Sequence, residues 1–165
     1  MKLSNITIIG AAGLFGFIQC QNNFLTEIVN ELNAERSKRG LYQINISKKL
    51  TKVAQAHVDD LSKYADSKPG LHDWPSVFKC KISEGYKCMW DKPRQLTGYS
   101  GNGYEVSFLG LTKPKDLIRG WLNSKPHAEV LLNQGSWHDN KWEAVGAATR
   151  GQYSVMWFGE VSDKS

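Results

Sequence analysis

Long runs of like charge are missing from this chain of 165 residues. Lys and Arg number 21 against 16 Asp and Glu, a net charge of +5, but the basic residues never cluster beyond adjacent pairs. A protein that grips nucleic acid concentrates its cations in a stripe, so nucleic acid is excluded as a partner. Cysteine is scarce too: three residues are too few for a small scaffold stapled by disulfides. No His-x-x-x-His or Glu-x-x-His zinc box occurs, no Gly-x-Ser-x-Gly elbow and no phosphate-cradling glycine loop. Internal repeats and low-complexity tracts are absent. No apolar run reaches the roughly 20 residues that cross a bilayer.

What the chain does have begins at its start. Lys2 precedes an uncharged, mostly apolar run from Ile6 to Ile18, followed by polar Gln19-Cys20-Gln21-Asn22-Asn23. This layout is that of a secretory signal peptide over residues 1–20, the alternative being an apolar helix packed in a core. Residues 21–165 then form one domain, secreted and extracellular. Loss of Cys20 leaves Cys80 and Cys88 in an oxidising compartment, where they are expected to pair; two free thiols are the alternative. Asn45-Ile46-Ser47 is an N-glycosylation acceptor triplet, with Asn45 as the modified residue in a eukaryotic source.

Hydrophobic spacing predicts the elements. Phe24, Ile28, Val29 and Leu32 mark a helix over 23–39, stopped by Gly40. Ser47 is expected to cap a second helix with Leu50, Val53, Ala54, His57, Val58 and Leu61 on its apolar side, ended by Lys68-Pro69-Gly70. Residues 66–103, rich in Gly and Pro, read as a long irregular segment with short strands over 81–86. A strand is predicted over 104–109, a third helix capped by Thr112, and a short fourth helix over 127–132. A hairpin of strands 143–149 and 153–160 closes the chain, with Ala144, Gly146 and Ala148 small enough to admit a close neighbour. Strands not interleaved with helices argue for an α+β fold with a mainly antiparallel sheet.

The four histidines divide by context. His57 sits on an apolar helix stripe and reads as a core residue. His138 lies in a polar loop and reads as solvated. His72, in Leu71-His72-Asp73-Trp74, and His127, after Pro126, are the candidate site histidines.

Several segments together resemble the CAP superfamily of cysteine-rich secretory proteins, venom allergens and pathogenesis-related proteins. Trp121-Leu122-Asn123-Ser124-Lys125-Pro126-His127, running on to Leu131-Leu132, is similar to that family's Trp-x-x-Ser-x-x-His box in its bacterial-type form. Trp142–Ala148 and Tyr153–Gly159 are similar to its closing hairpin. Leu32–Arg36 is similar to its Asn-x-x-Arg helix, and Leu50–His57 to its second helix. The resemblance runs from about residue 24 to 160.

The resemblance implies a three-layer α-β-α sandwich with a cleft holding two histidines and two acids, often around a divalent metal. His72 and His127 match the histidines, and Glu105 matches one acid although Tyr104 and Val106 depart from the family's neighbours. Ser124 stands where the second acid belongs, so the set is incomplete. Two His and one carboxylate still suit Zn2+ or another divalent metal with water in an open position. The resemblance also implies a binding module for a sterol, a lipid or an extracellular protein partner, without enzyme chemistry. Phe78, Trp90 and Tyr99 of the aromatic loop are the candidate ligand contacts. The alternative is a metal-dependent hydrolase using the same cleft, with Ser124 as nucleophile; a helix cap is the reading of Ser124 favoured here.

Overall fold

The computed structural model describes residues 11–163 apart from residue 78, without the side chains of 11–15, 17 and 18. Residues 1–10 of the expected signal segment, and Phe78, lie outside the described residues. Among the described residues the helices and strands follow in the order α1 (Ala11–Ser37), β1 (Asn45–Ile46), α2 (Lys48–Lys63), α3 (Lys87–Thr97), β2 (Tyr104–Leu109), α4 (Pro114–Leu122), α5 (Lys125–Leu131), β3 (Ala144–Arg150) and β4 (Tyr153–Gly159). Among the described residues no helix is long and apolar enough to cross a membrane.

The sheet has the order β1-β3-β4-β2, antiparallel except where β1 runs parallel to β3. Period-two alternation sends its side chains to two separate cores. Val106, Val145, Ala147, Met156 and Phe158 pack against α1, α4 and α5, while Ala144, Ala148, Val155 and Trp157 pack against α2 and α3. Helices on both faces of a central sheet give the α+β, three-layer arrangement.

The small residues of β3 act as expected. Gly146 faces α2 so closely that a Cβ there would collide with the Leu50 and Thr51 backbone, 2.7 Å from Thr51 Cα. The start of α2 is fixed by two acceptors. Ser47 Oγ accepts from Leu50 N at 3.0 Å, and Asp163 accepts from Ser47 Oγ and Lys49 N at 2.8 and 2.9 Å. On the opposite face, Asn33 exchanges two hydrogen bonds with the backbone of Ile44, at 2.9 and 3.0 Å. Arg36, fully buried, donates to Tyr42 O, Leu131 O and Asn133 Oδ1. The Asn-x-x-Arg spacing thus ties α1 both to the approach to β1 and to the end of α5.

Four expectations need correcting. Residues 81–86 form no strand: a 3-10 turn, Ile82–Glu84, leads into α3. Helix α3 tolerates Pro93, which withholds a single N–H from the ladder, and stops at Gly98, whose φ of 66° suits glycine. Lys113, not Thr112, occupies the cap position of α4, and no side chain caps it. Helix α2 ends at Lys63, before Lys68-Pro69-Gly70, because the chain turns through a 3-10 segment at Ala65–Ser67. Helix α1, expected from residue 23, is continuous from Ala11. Asn45 is exposed on β1, at the sheet's edge.

Cys80 and Cys88 form a disulfide that joins the irregular segment to the first turn of α3. Closing so short a loop restricts the unfolded chain by about 2–3 kcal/mol. The close approach at Gly146 predicts that Gly146→Ala destabilises the fold by about 2–3 kcal/mol, since backbone rather than a flexible side chain must move. Urea unfolding of the two proteins measures it.

Candidate functional site

One cleft, of about 480 Å³, opens between α3, β2 and the segment after α5. His72 and Glu105 are its ionisable imidazole and carboxylate. Tyr86, Met89, Trp90, Tyr104 and Trp137 provide most of the remaining wall. Glu105 reaches it because β2 alternates: Tyr104, Val106 and Phe108 turn to the side of α1, α4 and α5, while Glu105 and Ser107 turn to the side of α2.

Glu105 is buried between two imidazoles. Its Oε2 is 3.4 Å from His57 Nδ1 and 3.5 Å from His72 Nδ1, and neither carboxylate oxygen makes a hydrogen bond. His57 is completely buried, as a core residue should be, and also touches the site. Its Nε2 donates to the carbonyl of Asp73 at 2.9 Å, and its ring stacks on Trp74 with centroids 4.5 Å apart. On the far side of that indole, the buried Lys92 ammonium lies 4.7 Å from the ring centre. The His57 signal in the sequence was its apolar stripe, which predicts burial but not the carboxylate it meets.

His72 and His127 differ in electrostatic setting. Burial pulls the His72 pKa down, but the contact and charge of Glu105 outweigh it, and the value is raised overall. Burial and the charge of His72 hold His127 below its ordinary value, with Glu105 opposing. His127 Nδ1 is buried and has no hydrogen-bond partner. The two histidines and Glu105 are therefore close enough to sense one another, although His127 is not in the cleft's lining.

These donors do not form a coordinating set. Both Glu105 oxygens are shielded from solvent, and among the described residues no group of three or more His, Cys, Asp or Glu side chains is arranged to hold a metal ion. Nor do they form a nucleophilic triad. Ser107 Oγ and Glu105 Oε2 both approach the same nitrogen of His72, at 3.5 Å each, whereas a relay needs them on opposite nitrogens. Ser124 occupies the cap position of α5 without a side-chain hydrogen bond.

The aromatic expectations split. Trp90 lines the cleft, is 38% exposed, and stacks on Tyr86 with centroids 5.9 Å apart. Tyr99 is not a ligand contact. It is 1% exposed, its hydroxyl bonds the backbone of Val161, and its ring fills the space beside Gly159. Tyr86, another aromatic of the same loop, lines the cleft, as do Tyr104 and Trp137, which the sequence did not single out. Tyr86 carried a signal in the sequence, four residues before Trp90; Tyr104 and Trp137 are joined to the site only by folding.

The pKa directions predict an ordered titration. In NMR, the His72 midpoint should lie above the roughly 6.5 of a free imidazole, and that of His127 below it. The linkage signs are opposite. Stability from His72 is complete below the unfolded pKa and is lost as pH rises through the folded one. The cost of charging His127 sets in as pH falls below its unfolded pKa. A reversed order of midpoints contradicts the arrangement.

Comparison with known proteins agrees with this architecture. The cysteine-rich secretory protein (CAP) family matches residues 29–138. Protein YkwD of Bacillus subtilis (strain 168) is 25% identical over 114 residues, which cover 68% of this chain and 39% of that protein. An extracellular protein containing an SCP domain from Bacillus anthracis str. Ames superposes over 96% of this chain and 45% of its own, with TM-score 0.66 and 19% identity. A cysteine-rich secretory protein from Staphylococcus aureus subsp. aureus Mu50 does so over 86% and 39%, with TM-score 0.59 and 18% identity. The chain thus spans less than half the length of each of these relatives. With the family matched from the end of α1 through α5, the cleft and the His127 box included, this chain belongs to the cysteine-rich secretory protein (CAP) family.

Proposed function

We propose that this chain is an extracellular binding module that holds a lipid or sterol-like amphiphile in its cleft and performs no chemistry on it. The observation that carries this reading is the stacked Tyr86–Trp90 pair, 57% and 38% exposed at an otherwise apolar wall. Large aromatic faces left in water gain roughly 25 cal/mol for each Å² a ligand covers. The cleft is also of a size that suits a small ligand. The extracellular setting is supported by the apolar leader in the sequence, by the disulfide, and by the B. anthracis relative described as extracellular.

The hydrolase alternative needs an exposed nucleophile or a metal-activated water beside a base. Ser124, the nucleophile that reading names, is not among the residues lining the cleft, and the donor atoms of Glu105 are shielded. Neither favours that reading.

Titration of a fluorescent fatty acid or sterol tests the proposal. Trp90→Ala should weaken binding by about 1–3 kcal/mol, or about five- to a hundred-fold, while His127→Ala leaves it largely intact. Loss of binding in His127→Ala with none in Trp90→Ala would move the ligand away from the aromatic wall. The metal expectation is tested separately. Micromolar Zn2+ should leave the melting temperature of the protein unchanged; a rise that disappears in His72→Ala would show the histidines opening into a metal site and would favour the hydrolase.

A further inference from the structure

The chemistry of the cleft is narrower than its apolar walls require. In a chain of net charge +5, its lining contains no Lys or Arg among the described residues, and Glu105 is its one acid. The cations Lys38, Arg39, Lys115 and Arg119 instead line a separate groove beside α1 and α4. Both oxygens of Glu105 are buried without a hydrogen bond, and the imidazoles of His57 and His72 face Oε2. A ligand in the cleft therefore meets this carboxylate through its field rather than through a hydrogen bond.

That distinction selects among head groups. A primary ammonium or a hydroxyl entering the cleft gives up hydrogen bonds to water and finds no accessible carboxylate oxygen in return. A quaternary ammonium has no N–H to satisfy. Its charge is attracted by a buried carboxylate, whose field is weakly screened, and by the faces of aromatic rings. Four such rings line the cleft in different orientations. Tyr86 and Trp90 are stacked, whereas Tyr104 and Trp137 meet edge to face with centroids 5.2 Å apart.

We infer that the cleft recognises a quaternary ammonium group of the choline type, with Glu105 supplying the charge and the four rings the cage. This rests on the reading of the cleft as an amphiphile site and adds the head group.

Calorimetry on the wild-type protein at a pH above the His72 midpoint measured by NMR, where that imidazole is neutral, makes the comparison directly. Choline should bind about tenfold more tightly than its uncharged tert-butyl analogue and than ethanolamine. Equal binding of the neutral analogue, or tighter binding of ethanolamine, overturns the inference. Glu105→Gln, checked by its melting curve, should erase the preference for choline; an unchanged preference in a folded variant also overturns it. If that variant does not fold, Trp90→Leu should reduce the preference. Lysophosphatidylcholine and a monoacylglycerol of the same chain separate the sources. Preference for the former assigns the cation to a lipid head group, and preference seen with choline alone assigns it to a free solute. Equal binding of the two lipids, with no preference for choline, removes the head group but leaves the amphiphile reading standing. Failure of both lipids to bind removes the amphiphile reading itself.

Discussion

Helix α2 lies directly on the backbone of β3 because Gly146 has no side chain, and the site depends on that contact. With Leu50 and Thr51 against Gly146, the following turns carry His57 over the sheet to Glu105 on β2. Ala144 and Ala148, on the same face of β3, keep the approach close along the strand. The N-terminus of α2 is held in turn by Ser47 and by Asp163 from the far end of the chain. Packing at one glycine thus sets the position of the His57 imidazole relative to the Glu105 carboxylate, 48 residues further along the sequence.

The site that results is a shielded electrostatic cluster beside an apolar opening. Glu105 sits between His57 and His72, and His57 is held against Trp74 by stacking and by its bond to Asp73 O. Lys92 covers the other face of Trp74, so the indole separates an ammonium from an imidazole. Such a column is preorganised by packing and offers little to a reacting substrate. Its exposed face is aromatic, and the proposed binding role rests on that face.

The disulfide and α3 present that aromatic face. Cys88 anchors the first turn of α3 to Cys80, and from the next positions both Met89, buried, and Trp90, exposed, line the cleft. Tyr86 precedes the helix and stacks back on Trp90. The pair stays exposed because the residues around it, rather than the rings themselves, complete the core beneath: Met89, Pro93 and Tyr99 are buried.

Periodicity by itself determined α2, β2, the closing hairpin and the small-residue face of β3, because a buried stripe or an alternating strand writes its spacing directly into the sequence. Four ordered segments of resemblance added the family and hence the sandwich. Helix α3 was hidden because Pro93 and the neighbouring glycines carry loop signals, and because a helix of eleven residues with few buried positions has a faint stripe. Only the tertiary structure decided which aromatics face the cleft. Trp90 and Tyr99 are alike in sequence context, but one packs beside an open wall and the other into the space over Gly159. It alone decided that His57 belongs to the site, since a histidine on an apolar stripe shows that it will be buried and not what it will be buried against. The pairing of His57 with Glu105 joins α2 to β2 across the sheet, and contacts of that range leave no pattern along the chain.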